Sequence, residues 1–434
     1  MDCNYWFDFF ELSDEAEHYA SKLRIAGLKA RLFRPDSPLQ VTPFLVDDGT
    51  IKKQSEIYSE LLNALLNLPN VLFDGDLEAF ARVIGFENSA IYDVLRRAGI
   101  DDGMMPCRWD VCQKSNSWYA FEANFGGALG GLPVEDLHTI YDELPLPKGH
   151  RCDHWKSAGQ AIAQCYEKRF GPSDTWQMVV LDDEKQYKES PLTANAAASM
   201  MSRYLRQDIP AIAHSDLANT IKSATKPLVA FEMFTLRDIA DTTDGSYDIY
   251  FTSCANGALK RGVSLQCDLF MSKACLALLH TAAEAQRFEP AICETIRSAI
   301  PETRLLTADT LVQVSALPKD HYVIKSALGY GGTAVFCGWE MSQDAWNGLL
   351  SRSSDPTGDN GLCVIQRRVD GDPTPSISVM PDGLWVESTA PQVLGIFQIQ
   401  GEICGGVVRQ ALADTSIANA SRRASVGVIR RTSR

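Results

Sequence analysis

The sequence predicts a mixed α/β (α+β) protein with more than one lobe, on three observations. The chain has 434 residues, more than a single hydrophobic core usually serves. Its middle alternates apolar strands with a helix-forming stretch, in the order TWQMVVLDD, TANAAASMMSRYLRQ, IPAIAHSD, which implies parallel pairing. On either side lie strand patterns joined by polar or glycine-rich turns.

The first hundred residues read as mainly helical. SEIYSELLNALLNL carries Ile57, Leu61, Leu62, Leu65 and Leu66 at close to helical spacing. DLEAFARVIG starts at an acidic cap and stops near Gly85. A change follows at Cys107, where RWDVCQKSNSWYAFEANF reads as two strands around the turn KSNS. The central unit continues through PLVAFEMFTLRDIA and YDIYFTS, making roughly 170–260 a Rossmann-like lobe without a dinucleotide fingerprint. Beyond it come the helix SKACLALLHTAAEAQRF, a short linking segment IPETRLL, and the strands HYVIKS, TAVFCGWE, CVIQRRV and LGIFQIQGEICGGVVRQ. The tail from Ala420 reads as a strand followed by a frayed basic end. There, Arg422, Arg423, Arg430 and Arg431 suit solvent better than an anionic substrate.

Composition narrows the function. A net charge of −14 argues against a general nucleic-acid binder, though a nucleotide site needs only a few local cations. The twelve cysteines form no CxxC pair, so a structural zinc site is not supported and a reduced cytoplasm is expected. The acidic N-terminus lacks the features of a signal peptide, and no apolar run approaches the ~20 residues that span a bilayer.

The most informative segment is YVIKSALGYGGTAV, residues 322–335. A strand delivers Lys325, and a turn with Gly329, Tyr330, Gly331 and Gly332 follows. Glycines let backbone N–H groups approach phosphate oxygens, and a lysine adds a point charge for the same oxygens. The lysine precedes the glycines, so this is not a P-loop. The second segment pairs Arg108 and Asp110 with Glu122 and Asn124, followed by GGALGGL. An acid and an amide at i and i+2 of a strand face one side and can share a hard cation. Lys273 opens an apolar helix, and Gln366 lies on CVIQRRV. Each piece alone also reads blandly: a glycine hairpin with an incidental lysine, a polar strand face, a solvated helix flank, a surface strand.

Taken in order, RWD…FEANFGGALGGL, MSKACLALL, IPETRLL, HYVIKSALGYGGTAVFCGWE, CVIQRRV and LGIFQIQGEICGGVVRQ resemble the circularly permuted ATP-grasp ligases, the group of eukaryotic glutathione synthetase and the glutathionylspermidine-synthase-like enzymes. The blocks span about 108–132 and 270–410, and the rest matches only in outline. The resemblance implies an ATP-grasp fold in four parts. These are a helical region 1–105, a permuted segment 106–169 with the E-x-N pair, a Rossmann-like substrate lobe 170–264, and a nucleotide-binding region 265–434. It implies ATP and Mg²⁺ as cofactors, with Lys273 and Lys325 on the phosphates and Gly329, Tyr330, Gly331 and Gly332 as the lid. It further puts Glu122 and Asn124 on the metal, Gln366 beside the adenine, and Arg108, Asp110 and Arg409 near the acyl chemistry.

The expected activity is ATP-dependent joining of a small carboxylate to an amine through an acyl-phosphate, on amino-acid-like or peptide-like molecules. No nucleic acid or membrane partner is expected, and a homodimer is the assembly considered. One departure matters. Relatives carry an acid three or four residues after the loop lysine, where this chain has Leu328 and Gly329. Either Glu122 carries more of the metal charge, or Asp110 or Glu340 substitutes, or catalysis is impaired. An ATP-binding chain without turnover and a phosphotransferase are therefore the competing readings.

Overall fold

The structure, a computed structural model, describes residues 4–99, 103–143, 151–153, 157–329, 334–411 and 424–433. Along the chain come β1 (Leu39–Gln40), β2 (Phe44–Asp47), β3 (Cys107–Lys114), β4 (Ser117–Phe125) and β5 (Arg151–Asp153). The middle supplies β6 (Gln177–Asp182), β7 (Ala211–Ala213), β8 (Leu228–Glu232) and β9 (Leu259–Lys260). Next are β10 (Thr303–Leu306), β11 (Tyr322–Ser326), β12 (Val335–Cys337) and β13 (Cys363–Arg367). The last group is β14 (Pro373–Val379), β15 (Trp385–Ile399), β16 (Glu402–Gln410) and β17 (Ser425–Ser433). They form three sheets, so the protein is mixed α/β as expected.

The middle sheet runs β7-β6-β8-β9 and is parallel throughout. All five residues of β8 are buried, as a parallel strand covered on both faces requires. The helix Pro191–Leu205 lies in the crossover from β6 to β7. YDIYFTS continues this lobe with a helix, Asp248–Ala255.

The large sheet runs β14-β1-β17-β16-β15-β3-β4, with β2 and β5 also paired to β17. The basic end expected to fray is therefore an inner strand. Arg430 is fully buried, donating to the His138 carbonyl at 3.0 Å and pairing with Asp142 at 2.6 Å. Arg431 pairs with Asp48. A guanidinium tolerates burial when its charge meets acceptors, and Arg430 finds them on the helix Glu135–Asp142. Arg422 and Arg423 lie outside the described residues.

The third sheet is antiparallel, ordered β10-β13-β11-β12. IPETRLL, expected as a link, supplies β10, because Thr303–Leu306 pairs along Gln366–Cys363. Strand alternation splits this sheet's residues between two faces. Tyr322, Ile324, Cys363 and Ile365 pack with Leu306, Trp346 and Leu350 in a small second core. Lys325 and Gln366 fall on the opposite face, with Val364, toward the main core. Ten of the cysteines among the described residues are in no disulfide, and no helix among the described residues is long and apolar enough to cross a membrane.

Candidate functional site

The hairpin of β3 and β4 sets the frame. Ser115 and Asn116 form its two-residue turn, both at positive φ (49° and 63°), matching the twist of the flanking strands. The register places Arg108 opposite Asn124 and Asp110 opposite Glu122, so all four side chains share one face. Phe121 is the extra residue of a bulge just beyond them, between the Asp110–Glu122 and Val111–Ala120 pairs.

Asp110 is held between two arginines. Arg108 donates from Nε at 3.0 Å to one carboxylate oxygen, and Arg409 on β16 brings Nη2 to 2.8 Å from the other. Burial would raise the Asp110 carboxyl, but the two guanidinium groups outweigh it and hold it at about 2. Arg108 also donates to the Gly130 carbonyl at 2.7 Å. Arg409 is only 9% exposed; its Nη2 is poorly aligned for a hydrogen bond and its Nε has no partner. Gly395 on β15 makes this packing feasible, since a Cβ there would stand 3.0 Å from both Arg108 Cδ and Val407 Cγ2.

Lys273 precedes the helix Ala274–Glu284, whose residues from Ala274 to His280 are all buried. A helix apolar all round lies inside the protein, so its leading lysine is buried as well, at 6% exposure. Its ammonium donates to the Gly329 carbonyl at 2.6 Å and pairs with Glu122 at 3.1 Å. It thereby links the glycine loop after β11 to the large sheet.

Lys325 approaches from the third sheet. It donates to Gln366 Oε1 at 2.6 Å, and its ammonium lies 3.5 Å from the Phe121 carbonyl and 4.9 Å from the Phe121 ring centre. Burial lowers its pKa to about 8, with Glu122 opposing that shift and Lys273 adding to it. Gln366 is itself buried, and its amide nitrogen donates to Thr303 Oγ1 at 2.9 Å. Both ends of that amide are thus engaged within the sheet.

The structure therefore brings together Arg108, Asp110, Glu122, Asn124, Lys273, Lys325, Gly329, Gln366 and Arg409, which the sequence scatters over 300 positions. Tyr330, Gly331 and Gly332 lie outside the described residues. Glu340 is exposed on the short 3-10 turn Gly338–Glu340, and Leu328 packs partly against the main core. No group of three or more His, Cys, Asp or Glu that could hold a metal occurs among the described residues. Asn124 donates its amide nitrogen to the Arg108 carbonyl at 3.3 Å, and Glu122 engages Lys273 through Oε1. This leaves Asn124 Oδ1 and Glu122 Oε2 as oxygen donors on one strand face. A magnesium ion fits such a sparse set, because it keeps waters and takes further ligands from phosphates.

Sequence reasoning missed Phe121, Thr303 and Gly395. The bulge that turns Phe121 toward Lys325 leaves no mark in an alternating strand, but the lone glycine in LGIF does signal close approach.

No family model and no curated protein matches the chain. A solved structure from Methylobacillus flagellatus KT, described as a candidate gamma-glutamylcysteine synthetase, superposes with a TM-score of 0.36 at 10% identity, covering 88% of this chain and 86% of that one. A likeness that loose carries no argument about function.

Proposed function

We propose that this chain is an ATP-dependent carboxylate–amine ligase, forming an amide through an acyl-phosphate on amino-acid-like or peptide-like small molecules. One observation carries the reading. Four cations, Arg108, Arg409, Lys273 and Lys325, converge around only two carboxylates, Asp110 and Glu122, in a protein whose net charge is −14. A local surplus of positive charge suits a site where two anions must meet.

Attack of a carboxylate oxygen on the γ-phosphorus forms the acyl–O–P bond and breaks the bond to the β-phosphate, releasing ADP. The amine then attacks the acyl carbon, phosphate leaves, and the nitrogen sheds its proton. Lys273 and Lys325 neutralise the phosphate oxygens, and Gln366 is a positioning residue for Lys325. Arg409, with its unpartnered Nε, and Arg108 hold the acyl donor's carboxylate, for which a guanidinium is well shaped. Asp110 positions both arginines. A magnesium ion held by Glu122, Asn124 and the phosphates would supply further charge neutralisation. The residues from Gly329 to Gly332 are assigned as the lid that excludes water from the reactive acyl group.

A second reading, ATP binding without turnover, is favoured by Leu328 and Gly329 where an acid is expected and by the sparse metal-ligand set. ADP release from MgATP, across a panel of amino acids and small carboxylates with and without amines, separates the two. Release that requires both an acid and an amine is the expected outcome. ATP binding with no release across the panel supports the second reading, and release with an acceptor but no amine indicates a phosphotransferase.

A further inference from the structure

We infer that the chain carries a second binding site, for a small amphipathic anion, where the helices Ser89–Ala98 and Ala158–Phe170 approach β9. Two cavities adjoin there. One, of about 370 Å³, is walled mainly by Leu62, Leu66, Met104, Met105, Tyr166 and Phe170. The other, of about 570 Å³, is lined by Arg97, Arg169, Lys260 and Arg261. Arg169 and Phe170 line both, so the apolar chamber meets the cationic one at these two residues. Among the described residues no Asp or Glu lines either cavity, although acids outnumber bases 55 to 41 in the chain.

The cations are held in place before any ligand arrives. Arg97 lies 4.2 Å from the Phe251 ring centre, and Arg169 and Lys260 lie 4.9 Å and 5.8 Å from that of Phe170. Arg261 donates to the Tyr250 hydroxyl at 3.1 Å and the Ala98 carbonyl at 3.3 Å. Arg97 and Arg169 stand in the last turns of their helices, where a cation offsets the carbonyl end, and Arg97 also pairs with Asp248. Helix ends alone do not account for Lys260 and Arg261, which come from β9 and the segment after it. Volumes of this size hold a small organic ligand, and the two methionines give its wall an adaptable surface. The complementary ligand has one anionic head among the cations and an apolar body, a fused ring pair or a medium alkyl chain, in the adjoining chamber.

The test uses the full chain with saturating MgATP present, so the nucleotide reading and this one fail separately. Fluorescence titrations compare 8-anilinonaphthalene-1-sulfonate with uncharged N-phenyl-1-naphthylamine, which shares its aromatic body. The sulfonate is expected to bind at one site about tenfold more tightly than the neutral probe. The double change Arg169→Gln, Lys260→Gln should weaken the sulfonate about tenfold while leaving the neutral probe within about twofold. Both side chains are exposed, and a thermal melt alongside reports folding; Lys260→Gln alone serves if the double variant melts early. Leu66→Trp, which fills the apolar chamber, should weaken both probes. Equal affinity for the two probes, or sulfonate binding indifferent to either variant, overturns the inference.

Discussion

Lys325→Met removes one positive charge from the buried face of the third sheet, and the pH dependence of its effect measures what burying that charge costs. The drop in the Lys325 pKa from 10.5 to about 8, driven first by burial, corresponds to about 3 kcal/mol at about 1.4 kcal/mol for each factor of ten in proton affinity. Below pH 8 the lysine is charged in both the folded and unfolded chain, and the folded state bears the full cost. Between pH 8 and 10.5 the folded chain binds fewer protons than the unfolded one, so wild-type stability rises with pH across that window. Methionine has no proton to lose and lacks this rise. It also leaves Gln366 Oε1 without its donor, a loss of about 1–3 kcal/mol that does not vary with pH. The variant's stability relative to wild type should therefore fall by about 2–3 kcal/mol between pH 7 and pH 10, whatever its absolute value. Urea midpoints at the two pH values, read at a common denaturant slope, give this difference directly. A stability difference identical at pH 7 and pH 10 would refute the claim that a charged lysine is buried there. A separate consequence of the proposed function is that MgATP no longer raises the variant's melting temperature.

Asp110→Asn leaves Arg108 and Arg409 buried without their shared anion, and should destabilise the protein by about 3–5 kcal/mol in denaturant titrations near pH 7. The Asp110 carboxyl is held at about 2, so its stabilisation is complete above about pH 4 and is lost as pH falls toward 2; the gap between variant and wild type should narrow over that interval. A gap that persists unchanged down to the acid end would show that the paired charge is not its source. Gly395→Ala pushes a methyl group into Arg108 Cδ and Val407 Cγ2, at an expected cost of about 1–3 kcal/mol. Under the ligase reading it also raises KM for the acid substrate more than KM for ATP; equal effects on both would detach Arg108 from the acyl donor.

What the sequence made legible follows the range of each signal. The β3–β4 hairpin, the parallel lobe and the buried helix after Lys273 are written in local periodicity and turn residues, and they fold as read. β10 was hidden because TRLL comes just after Pro301-Glu302 and is only four residues long, so nothing local separates it from a connection. A strand was legible in the tail, but its reach through Arg430 and Arg431 was hidden for a different reason. Its arginines look like a solvated end until Asp48 and Asp142, far away in sequence, are brought beside them. The candidate site was read as separate motifs, and their convergence depends on tertiary packing. No periodicity announces that Lys273 spans Glu122 and Gly329, or that Gln366 turns its carbonyl to Lys325.

The position of β17 has a consequence for how the chain can be made. Among the described residues β1 finds its partners in β14 and β17, with Leu39 beside Val379 and Val426, and β2 pairs with β17 as well. During synthesis these first strands leave the ribosome hundreds of residues before anything can pair with them, and such long-range closure is slow. The parallel lobe contains its own partners and can form while the rest is still being translated. The large sheet, and with it the face carrying Arg108, Glu122 and Arg409, is completed only when the last strand arrives to join the first. A nascent chain stalled before residue 425 should therefore protect the parallel lobe from protease while leaving the segments around β1 and β2 open to cleavage.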